Sequence, residues 1–488
     1  MSELLKEATR IAGEFEYSPE DVQQGVKEYI REMDEGLSEE GTTLSQIPTF
    51  VTSVPNGTEK GLYLAVDLGG TNFRVCSIDL HGNNKFSLTQ SKIMIPRELM
   101  TSGSSKELFL FLARQIESFL RIHHSEHFEA HLKRKREAIV EDLFDLGFTF
   151  SFPVRQLGIN KGTLIRWTKG FNIPDAVGQD VCVLLQNAID ELDLPVRVAA
   201  LVNDTVGTLM ARSYTSPGET GTFLGAIFGT GTNGAYVENL DRITKMDKIE
   251  HSDYDKSTGE MIINAEWGSF DNHLSVLPNT KYDKELDAES NNPGIQMFEK
   301  RVSGMFLGEI LRLALLDLHR NNGLFKPNAS SDVHIPESSS FYRQWGIDTS
   351  LLSIVEADET ENFEKVKSAL KDHLKIKRPS DDDCKAVKTL VHAIGKRAAR
   401  LSAVPLAAIL ISTGKLQTDD LVDIGVDGSV VEHYNNFESL MREALRKVPE
   451  IGDAGEKKVR IGISKDGSGV GAALIALVAS KEGAKRPQ

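Results

Sequence analysis

The chain has 488 residues, of which 40% are hydrophobic and 26% are charged, as in an ordinary globular protein with two or three domains. Its formal net charge of −15 argues against a general nucleic-acid-binding protein and against a protein held to anionic membranes by charge. Three cysteines far apart in sequence (Cys76, Cys182 and Cys384) predict neither a disulfide framework nor a thiolate metal site.

Residues 1–60 are expected to form two helices followed by a polar connector. Ser18-Pro19 is a typical start signal for the second helix, and residues 41–60 contain two prolines and an Asn-Gly pair. The first residues lack the basic start and apolar core of a signal peptide, and no apolar run reaches transmembrane length. We therefore expect a cytoplasmic protein without membrane or nucleic-acid partners.

The stretch Leu62–Arg74, LYLAVDLGGTNFR, predicts a β-hairpin with glycines at its tip. Gly69-Gly70 would let backbone N–H groups approach a phosphate, with a hydroxyl from Thr71 and a cationic fork from Arg74. Asp67 is a hard oxygen ligand suited to hydrated Mg²⁺. An ordinary hairpin turn explains the two glycines equally well, so both interpretations stay open here.

An amphipathic helix is predicted over Glu107 to Ile122, and a histidine-rich segment follows it. His123, His127 and His131 are spaced to share one helical face. A metal site is conceivable, but the surrounding Lys, Arg and Glu residues favour a solvated helix face.

A predicted strand is followed by a segment with the composition of a ligand site. Gly147–Pro153, GFTFSFP, alternates like a strand and stops at proline. Gly162–Asn172, GTLIRWTKGFN, places Thr168 and Lys169 beside Trp167, which is the composition of a sugar site. The alternative is an exposed loop around a buried tryptophan.

Asp204 is the candidate catalytic base. It follows Val198–Val202, a run typical of a fully buried strand, and precedes a predicted helix at Thr205–Tyr214. Proteins of the α/β class bind ligands where strands end in this way. Asp204 also suits a helix N-cap, although the preceding Asn203 provides one polar group more than a single cap requires.

A second glycine-rich hairpin is predicted in Phe223–Val237, FLGAIFGTGTNGAYV. Gly229, Gly231 and Gly234 match the G-x-G-x-x-G dinucleotide fingerprint, but that fingerprint requires a helix at the glycines, and the following residues look like a strand. The segment instead parallels the first hairpin: strand, glycine turn, Thr-Asn, strand. This parallel suggests a duplicated half, with two facing lobes that each place one hairpin beside a shared phosphate.

Two acidic side chains are candidates in the second half of the chain. Glu266 ends a strand-like run in Ile262–Phe270, IINAEWGSF, where an exposed acid on an edge strand is the alternative. Met297–Arg312 is predicted to be one long helix with Glu299 in its first turn, where the helix dipole favours an acid in any case.

Three further segments are predicted near the C-terminus. Leu390–Ile411 is apolar and helical, with Pro405 expected to break the helix. Gly425–Val431 is a Gly/Ser turn between apolar segments. Ile461–Ala479 is a strand, a Gly/Ser turn and a helix whose start could face a nucleotide.

In these motifs and their order, the chain resembles the hexokinase family, and within it the glucokinases of fungi. The resemblance runs from about residue 20 to 480 and is weakest in 241–260 and 324–385. It is carried by VDLGGTNFRV, GFTFSFP, GTLIRWTKGFN, NDTVGTLMARSY, FGTGTNGAY, NAEWGSF, FEKRVSGMFLGE, DGSVVE and SKDGSGVGAAL.

The resemblance implies a two-lobed α/β fold of the actin-like ATPase (ribonuclease H-like) type with an interlobe cleft. It further implies a small lobe of residues 61–202 plus 464–488, a large lobe of residues 203–463, and N-terminal residues 1–60 packed on the large lobe. The implied reaction is ATP-dependent phosphorylation of the C6 hydroxyl of D-glucose, the first step of glycolysis, with mannose and fructose as candidate substrates. A monomer or homodimer is expected.

The resemblance also implies roles for individual residues. Asp204 would be the general base, with Lys169 and Arg74 as further catalytic residues, and Mg²⁺ would be held through water near Asp67 and Asp204. Thr232 stands where many family members carry an apolar residue or cysteine. The sugar would be lined by Ser151, Phe152, Thr168, Lys169, Asn203, Asp204, Asn233, Glu266 and Glu299. The nucleotide would face Asp67, Gly69, Gly70, Thr71, Asn72, Arg74, Thr230, Gly304 and Ser429.

Two other functions remain as alternatives. An actin- or chaperone-like ATPase would use the same fold to bind a protein partner, yet it has no need of TKGFN, Asn203-Asp204 and Glu266-Trp267 together. A nicotinamide oxidoreductase would rest on Gly229–Gly234 alone.

Overall fold

Two mixed β-sheets form the framework of the molecule. The computed structural model describes residues 2–70, 72–136, 143–167, 170–216, 221–248, 254–327, 332–418, 420–464 and 466–484. The strands are β1 (Ile47–Pro48), β2 (Lys60–Leu68), β3 (Asn72–His81), β4 (Phe86–Met94), β5 (Phe144–Phe150), β6 (Val154–Gly158), β7 (Lys161–Leu164), β8 (Val196–Val202), β9 (Thr222–Phe228), β10 (Thr232–Asn239), β11 (Glu260–Asn264), β12 (Val422–Asp427) and β13 (Val459–Ile463).

Helices cover both sheets. They are α1 (Glu3–Glu14), α2 (Pro19–Ser38), α3 (Arg97–Met100), α4 (Ser105–His123), α5 (Ser125–Arg136), α6 (Val181–Glu191), α7 (Asp204–Thr215), α8 (Lys281–Ala288), α9 (Glu299–Val302), α10 (Gly304–Asn321), α11 (Thr349–Glu356), α12 (Glu364–Leu374), α13 (Asp381–Ser412), α14 (Ser429–His433), α15 (Phe437–Lys447), α16 (Gly452–Glu456) and α17 (Ala472–Ala484). In the described ranges, none of them is both long and apolar enough to cross a lipid bilayer.

The two sheets share one topology. The five-stranded sheet has the order β4-β3-β2-β5-β8, and the six-stranded sheet has the order β1-β11-β10-β9-β12-β13. In each sheet, three sequential strands pair antiparallel, a later strand pairs in parallel with the first of them, and a last strand pairs in parallel with that later one. The second sheet differs by the short edge strand β1. Both predicted glycine hairpins are therefore confirmed, and the shared order is what a duplicated half would leave.

The chain crosses between the sheets at two neighbouring places. Helix α7 follows β8 of the five-stranded sheet but packs against β9 of the other, whereas α17 follows β13 and packs against β5 and β8. A π-helical turn, Gly467–Gly471, precedes α17. Helix α7 and the π-helical turn are in contact at glycine residues. A Cβ at Gly207 would lie closer than 3.0 Å to the carbonyl oxygen of Gly467. Backbones can approach this closely only where side chains are absent.

Helix α13 runs unbroken from Asp381 to Ser412, so the predicted break at Pro405 is wrong. Proline removes one helical hydrogen bond and costs about 3 kcal/mol in an isolated helix interior. Here the neighbouring Val404 and Leu406 are fully buried, as is most of the second half of the helix. Burial of these apolar side chains outweighs the local penalty.

The predicted single helix over Met297–Arg312 is also wrong, because Ser303 is extended with φ −83° and ψ 153° and separates α9 from α10. The N–H of Gly304 donates to the carbonyl of Gly229 at 2.7 Å, and the N–H of Met305 donates to Thr230 at 3.1 Å. These long-range bonds replace local helical ones. They join the start of α10 to the turn of the second hairpin.

The connector at residues 41–60 was predicted to be polar, but much of it is buried. Strand β1 pairs antiparallel with β11, Thr49 Oγ1 donates to the carbonyl of Ile262 at 2.7 Å, and Phe50 and Val51 are 1% exposed. Prolines suit this edge position, where one side of the strand needs no donor. The connector thus extends the six-stranded sheet.

The histidine-rich segment does not form one solvated face, so that prediction is wrong. Helix α4 ends at His123 and α5 begins at Ser125, while the ring of His127 lies 4.1 Å from the ring of Phe144. His131 is 3% exposed. No group of three or more His, Cys, Asp or Glu residues in the described parts of the chain is placed to hold a metal ion.

Candidate active site

Three parallel strands of the five-stranded sheet end side by side. Asp67 in β2 lies in register with Thr149 in β5, which in turn lies in register with Val202 in β8. Adjacent strands are about 4.8 Å apart. Ser151 and Asn203, which follow β5 and β8, are therefore at the same sheet edge as Asp67. This is the edge at which open α/β sheets bind ligands.

Asn203, and not Asp204, caps helix α7. The Asn203 side-chain oxygen accepts the N–H of Thr205 at 2.9 Å, and Asp204 is the first helical residue. A Cβ at Gly225 in β9 would lie 2.8 Å from the carbonyl oxygen of Thr205. The start of α7 is therefore pressed against the six-stranded sheet, which puts Asp204 at the junction of the two sheets.

The glycines of the first hairpin are not required by its turn geometry. Neither Gly69 nor Gly70 has φ in the left-handed region that favours glycine. A Cβ at Gly69 would lie 3.2 Å from Ser151 Oγ, and a Cβ at Gly70 would meet nothing within 4 Å. The backbone at Gly70 thus borders open space, as a phosphate-binding turn requires. Thr71 lies outside the described residues, and Asn72 begins β3.

Arg74 links the two sheets. Its guanidinium contacts Asp67 Oδ2 at 3.2 Å, Asp466 Oδ1 at 3.5 Å and the hydroxyl of Ser468. Asp466 and Ser468 follow β13 of the six-stranded sheet, and the carbonyl of Ser468 accepts the hydroxyl of Thr149 at 2.8 Å. Arg74 and Asp67 were predicted from the sequence to face the nucleotide, whereas Asp466 and Ser468 were not predicted. Their position in a Gly/Ser turn after a strand was the available signal.

The turn of the second hairpin packs against two other segments. The N–H of Gly229 donates to the carbonyl of Gly231 at 3.0 Å, and a Cβ at Gly229 would lie 3.2 Å from the Cα of Gly428. Gly428 has φ 115°, which only glycine adopts readily. This packing brings together three of the residues assigned to the nucleotide: Thr230, Gly304 and Ser429.

Polar side chains form a hydrogen-bonded network at the ends of β10 and β11. Asn233 Nδ2 donates to Asn264 Oδ1 at 2.8 Å, and Asn264 Nδ2 donates to Glu266 Oε1 at 2.8 Å. Glu266 adopts φ 52° and ψ 43°, an uncommon left-handed conformation, and burial raises the pKa of its carboxyl. Because β11 is paired on both sides, the alternative of an edge-strand acid is excluded. Asn264 was missed, although it is a polar residue at the end of an apolar strand.

Glu299 contacts the start of the same strand, β10. Its Oε2 accepts the backbone N–H of Thr232 at 2.9 Å and lies 2.8 Å from where a Cβ at Gly231 would be. The short helix α9 therefore serves to place a carboxylate against the hairpin. The structure brings Asn233, Glu266 and Glu299 together around the first residues of β10.

Aromatic rings pack beneath the remaining predicted sugar segment. The ring of Phe152 lies 4.9 Å from Trp167 and 5.1 Å from Phe171, and the indole N–H of Trp167 donates to the carbonyl of Ile173 at 2.8 Å. Thr168 and Lys169 lie outside the described residues. The predicted aromatic wall is thus a packed cluster of rings.

Both halves of the chain match models of known protein families. Residues 7–214 and 223–478 each match a family model described as hexokinase. The chain is 80% identical over 490 residues to the glucokinase of Aspergillus niger, covering 99% of each chain, and 44% identical over 499 residues to Glucokinase-1 of Saccharomyces cerevisiae, covering 98% of this chain and 97% of that one.

Two solved structures match the chain over almost its whole length. A hexokinase from Schistosoma mansoni complexed with glucose matches with a TM-score of 0.79 and 34% identity, covering 98% of this chain and 100% of that one. A second hexokinase crystal structure matches with a TM-score of 0.81 and 29% identity, covering 98% and 99%. The predicted two-lobed fold and the predicted resemblance are both confirmed.

Proposed function

Because this chain belongs to the hexokinase family, we propose that it transfers the γ-phosphoryl group of ATP to the C6 hydroxyl of D-glucose. The observation that carries the proposal is the meeting of two like sheets at their carboxyl edges. One edge carries Asp67, Ser151 and Asn203-Asp204, and the other carries Glu266 with its amide partners and Glu299. The two edges are linked by Arg74 with Asp466 and by Thr149 with Ser468. The glucokinase relatives and the glucose-bound relative support glucose as the sugar.

In this proposal the sugar hydroxyls bind the polar network of the six-stranded sheet. Carboxylates and amides of Asn233, Glu266 and Glu299 offer directed acceptors and donors that are costly to leave buried without partners. A sugar that satisfies all of them is therefore preferred over one that leaves a group unpaired. Ser151, Phe152, Asn203 and Asp204 complete the site from the other sheet, with Thr168 and Lys169 as further proposed contacts.

Asp204 acts as the general base. Its carboxylate accepts the proton of the C6 hydroxyl while the hydroxyl oxygen forms a bond to the γ-phosphorus. The bond between that phosphorus and the β–γ bridging oxygen breaks, and ADP leaves. Phosphoryl transfer depends mainly on positioning and on stabilisation of charge, and a general base adds about 10²–10⁴-fold.

The nucleotide phosphates lie between the two hairpin turns. The open backbone at Gly69-Gly70 and the turn at Thr230 suit an anion, and Arg74 brings a positive charge to the same place. Thr71, Asn72, Gly304 and Ser429 are proposed to border the nucleotide. Lys169 and Arg74 stabilise charge on the transferred group.

The residues present fit a hydrated Mg²⁺ ion. Asp67 and Asp204 offer hard carboxylate oxygens at the same edge of the five-stranded sheet, where β5 lies between their strands. Mg²⁺ is usually held by one or two carboxylates together with substrate phosphates and water. When bound, the ion would neutralise charge on the phosphates. Asp67 and Asp204 would hold it through water.

Lobe closure on the sugar is also part of the proposal. The small lobe would be residues 61–202 with 464–488, the large lobe residues 203–463, and residues 1–60 would pack on the latter. The crossing of α7 and α17 between the sheets supports this division. Closure would exclude water, which otherwise competes with glucose as the nucleophile.

A panel of hexoses in a coupled assay of ADP formation tests the function. Purified protein with ATP and Mg²⁺ should release ADP in proportion to added glucose, with mannose and fructose as the next candidates. ATP turnover that is indifferent to sugar would instead favour a partner-binding ATPase. We further propose that the enzyme works in the cytoplasm, as a monomer or homodimer.

A further inference from the structure

Thr232 contacts both acidic elements of the proposed sugar site. It begins β10 and is 4% exposed. Its hydroxyl oxygen accepts the indole N–H of Trp267 at 2.9 Å, and its backbone N–H donates to Glu299 Oε2 at 2.9 Å. Trp267 directly follows Glu266. One residue thus contacts both segments that carry the carboxylates, through its hydroxyl on the side of Trp267 and through its backbone N–H on the side of Glu299.

The side chain of Trp267 is closely packed on several sides. It is fully buried, its ring stacks on Phe228 with 5.8 Å between centroids, and it fills the space above Gly234, where a Cβ would lie closer than 3.0 Å. The indole N–H is a buried donor, and its acceptor is the Thr232 hydroxyl. A buried donor without a partner is costly, so the hydroxyl of Thr232 decides whether the ring remains in this position.

Glu266 depends on that position because its backbone is left-handed. Its φ of 52° and ψ of 43° are disfavoured for a residue with a side chain, so neighbouring contacts must maintain them. On one side, Asn264 and Asn233 bind its carboxylate. On the other side, Trp267 is anchored by Thr232. Release of the indole would let the turn relax and move the carboxylate.

We propose that the Thr232 hydroxyl is a positioning group that sets the affinity for hexose by holding Trp267, and through it the Glu266 carboxylate, in place. Thr232 does not need to touch the sugar. The inference deepens the proposed function and rests on it, because the effect is assigned to the sugar and not to the nucleotide.

The test compares Thr232→Val, Thr232→Ser and a matched control. Valine keeps the shape and the backbone N–H of residue 232 but removes the acceptor, whereas serine keeps it. Thr222→Val is the control, because Thr222 is equally buried at the opposite end of the same hairpin and donates to Asp423 Oδ2 at 2.7 Å. The KM values for glucose and ATP, kcat, calorimetric glucose affinity and thermal stability are measured for each protein.

We expect Thr232→Val to raise the KM and Kd for glucose about tenfold, with KM for ATP and kcat within about twofold, since one charged sugar contact is displaced. Serine should restore glucose affinity to within about twofold. Thr222→Val should lower thermal stability without changing glucose affinity. Trp267→Phe removes the same hydrogen bond and should raise the glucose KM similarly, even if Thr232→Val fails to fold.

Two results would overturn the inference. The first is an unchanged glucose KM in both Thr232→Val and Trp267→Phe. The second is an equal rise of the glucose and ATP KM values, which would indicate general destabilisation. The proposed function itself is tested on the wild-type protein. It fails if the wild type neither binds glucose nor releases ADP when glucose is added.

Discussion

The replacement Asp204→Ala should separate catalysis from folding, because the structure assigns the helix cap to its neighbour. From the sequence alone, Asp204 also suits the N-cap of α7. The cap is Asn203, whose side chain accepts the N–H of Thr205 at 2.9 Å. The informative experiment therefore compares Asp204→Ala with Asn203→Ala.

The expected magnitudes differ in kind. Loss of an N-cap typically costs about 1 kcal/mol of stability, so Asn203→Ala should lower the free energy of unfolding by about that amount. An acid in the first helical turn contributes about 0.3–1 kcal/mol through the helix dipole, so Asp204→Ala should cost no more. Loss of a general base should lower kcat by at least about 10²-fold, which corresponds to about 2.7 kcal/mol of transition-state stabilisation.

The assay combines steady-state kinetics with denaturant unfolding. We expect Asp204→Ala to bind glucose within about tenfold of wild type while kcat falls by at least about 10²-fold. Asn203→Ala should lose more stability and less kcat. Near-normal turnover of Asp204→Ala would refute its role as the base, and a larger loss of stability in Asp204→Ala than in Asn203→Ala would refute the assignment of the cap.

Three other expected outcomes follow from contacts in the structure. Arg74→Ala should raise the KM for ATP and lower kcat/KM by at least about tenfold. Asp466→Asn should have a smaller effect, since its carboxylate lies 3.5 Å from the guanidinium of Arg74. Unchanged ATP kinetics in Arg74→Ala would contradict this prediction. Gly234→Ala should lower the melting temperature, because the added methyl overlaps the ring of Trp267 and overpacking costs about 1–3 kcal/mol; a calorimetric scan equal to wild type would count against it. Burial raises the pKa of the Glu32 carboxyl from 4.5 to about 7, so the folded protein binds this proton more tightly than the unfolded chain does. The stability of the wild type relative to Glu32→Gln should therefore fall as pH rises from about 4.5 to about 7. Parallel curves of stability against pH for the two proteins would exclude this linkage.

Tryptophan fluorescence can report the proposed lobe closure. Trp167 packs on Phe152 and Phe171 in the five-stranded sheet's lobe, and Trp267 is fully buried in the other. Glucose binding measured by calorimetry should therefore be accompanied by a change in emission. Confirmed binding without any such change would count against closure near these residues.

Local sequence patterns determined the elements whose hydrogen bonds are themselves local. Both hairpins were predicted because each pairs strands that are neighbours in the chain. The start of α2 was predicted from Ser18-Pro19, and Ser18 is its N-cap in the structure. The same holds for the strand-to-helix junction at Asn203-Asp204. These features depend on alternation, turn residues and caps, all of which lie within a few residues of one another.

Only the tertiary structure decided where distant segments meet. The break at Ser303 arises from amides that bind the hairpin turn, and the intact helix at Pro405 arises from burial. The roles of Asn264 and Asp466 arise in the same way, from partners that are remote in sequence. Each of these features depends on packing and hydrogen bonding between segments that are far apart in the chain. These interactions outweigh local conformational preference, and they produce no periodic pattern in the sequence.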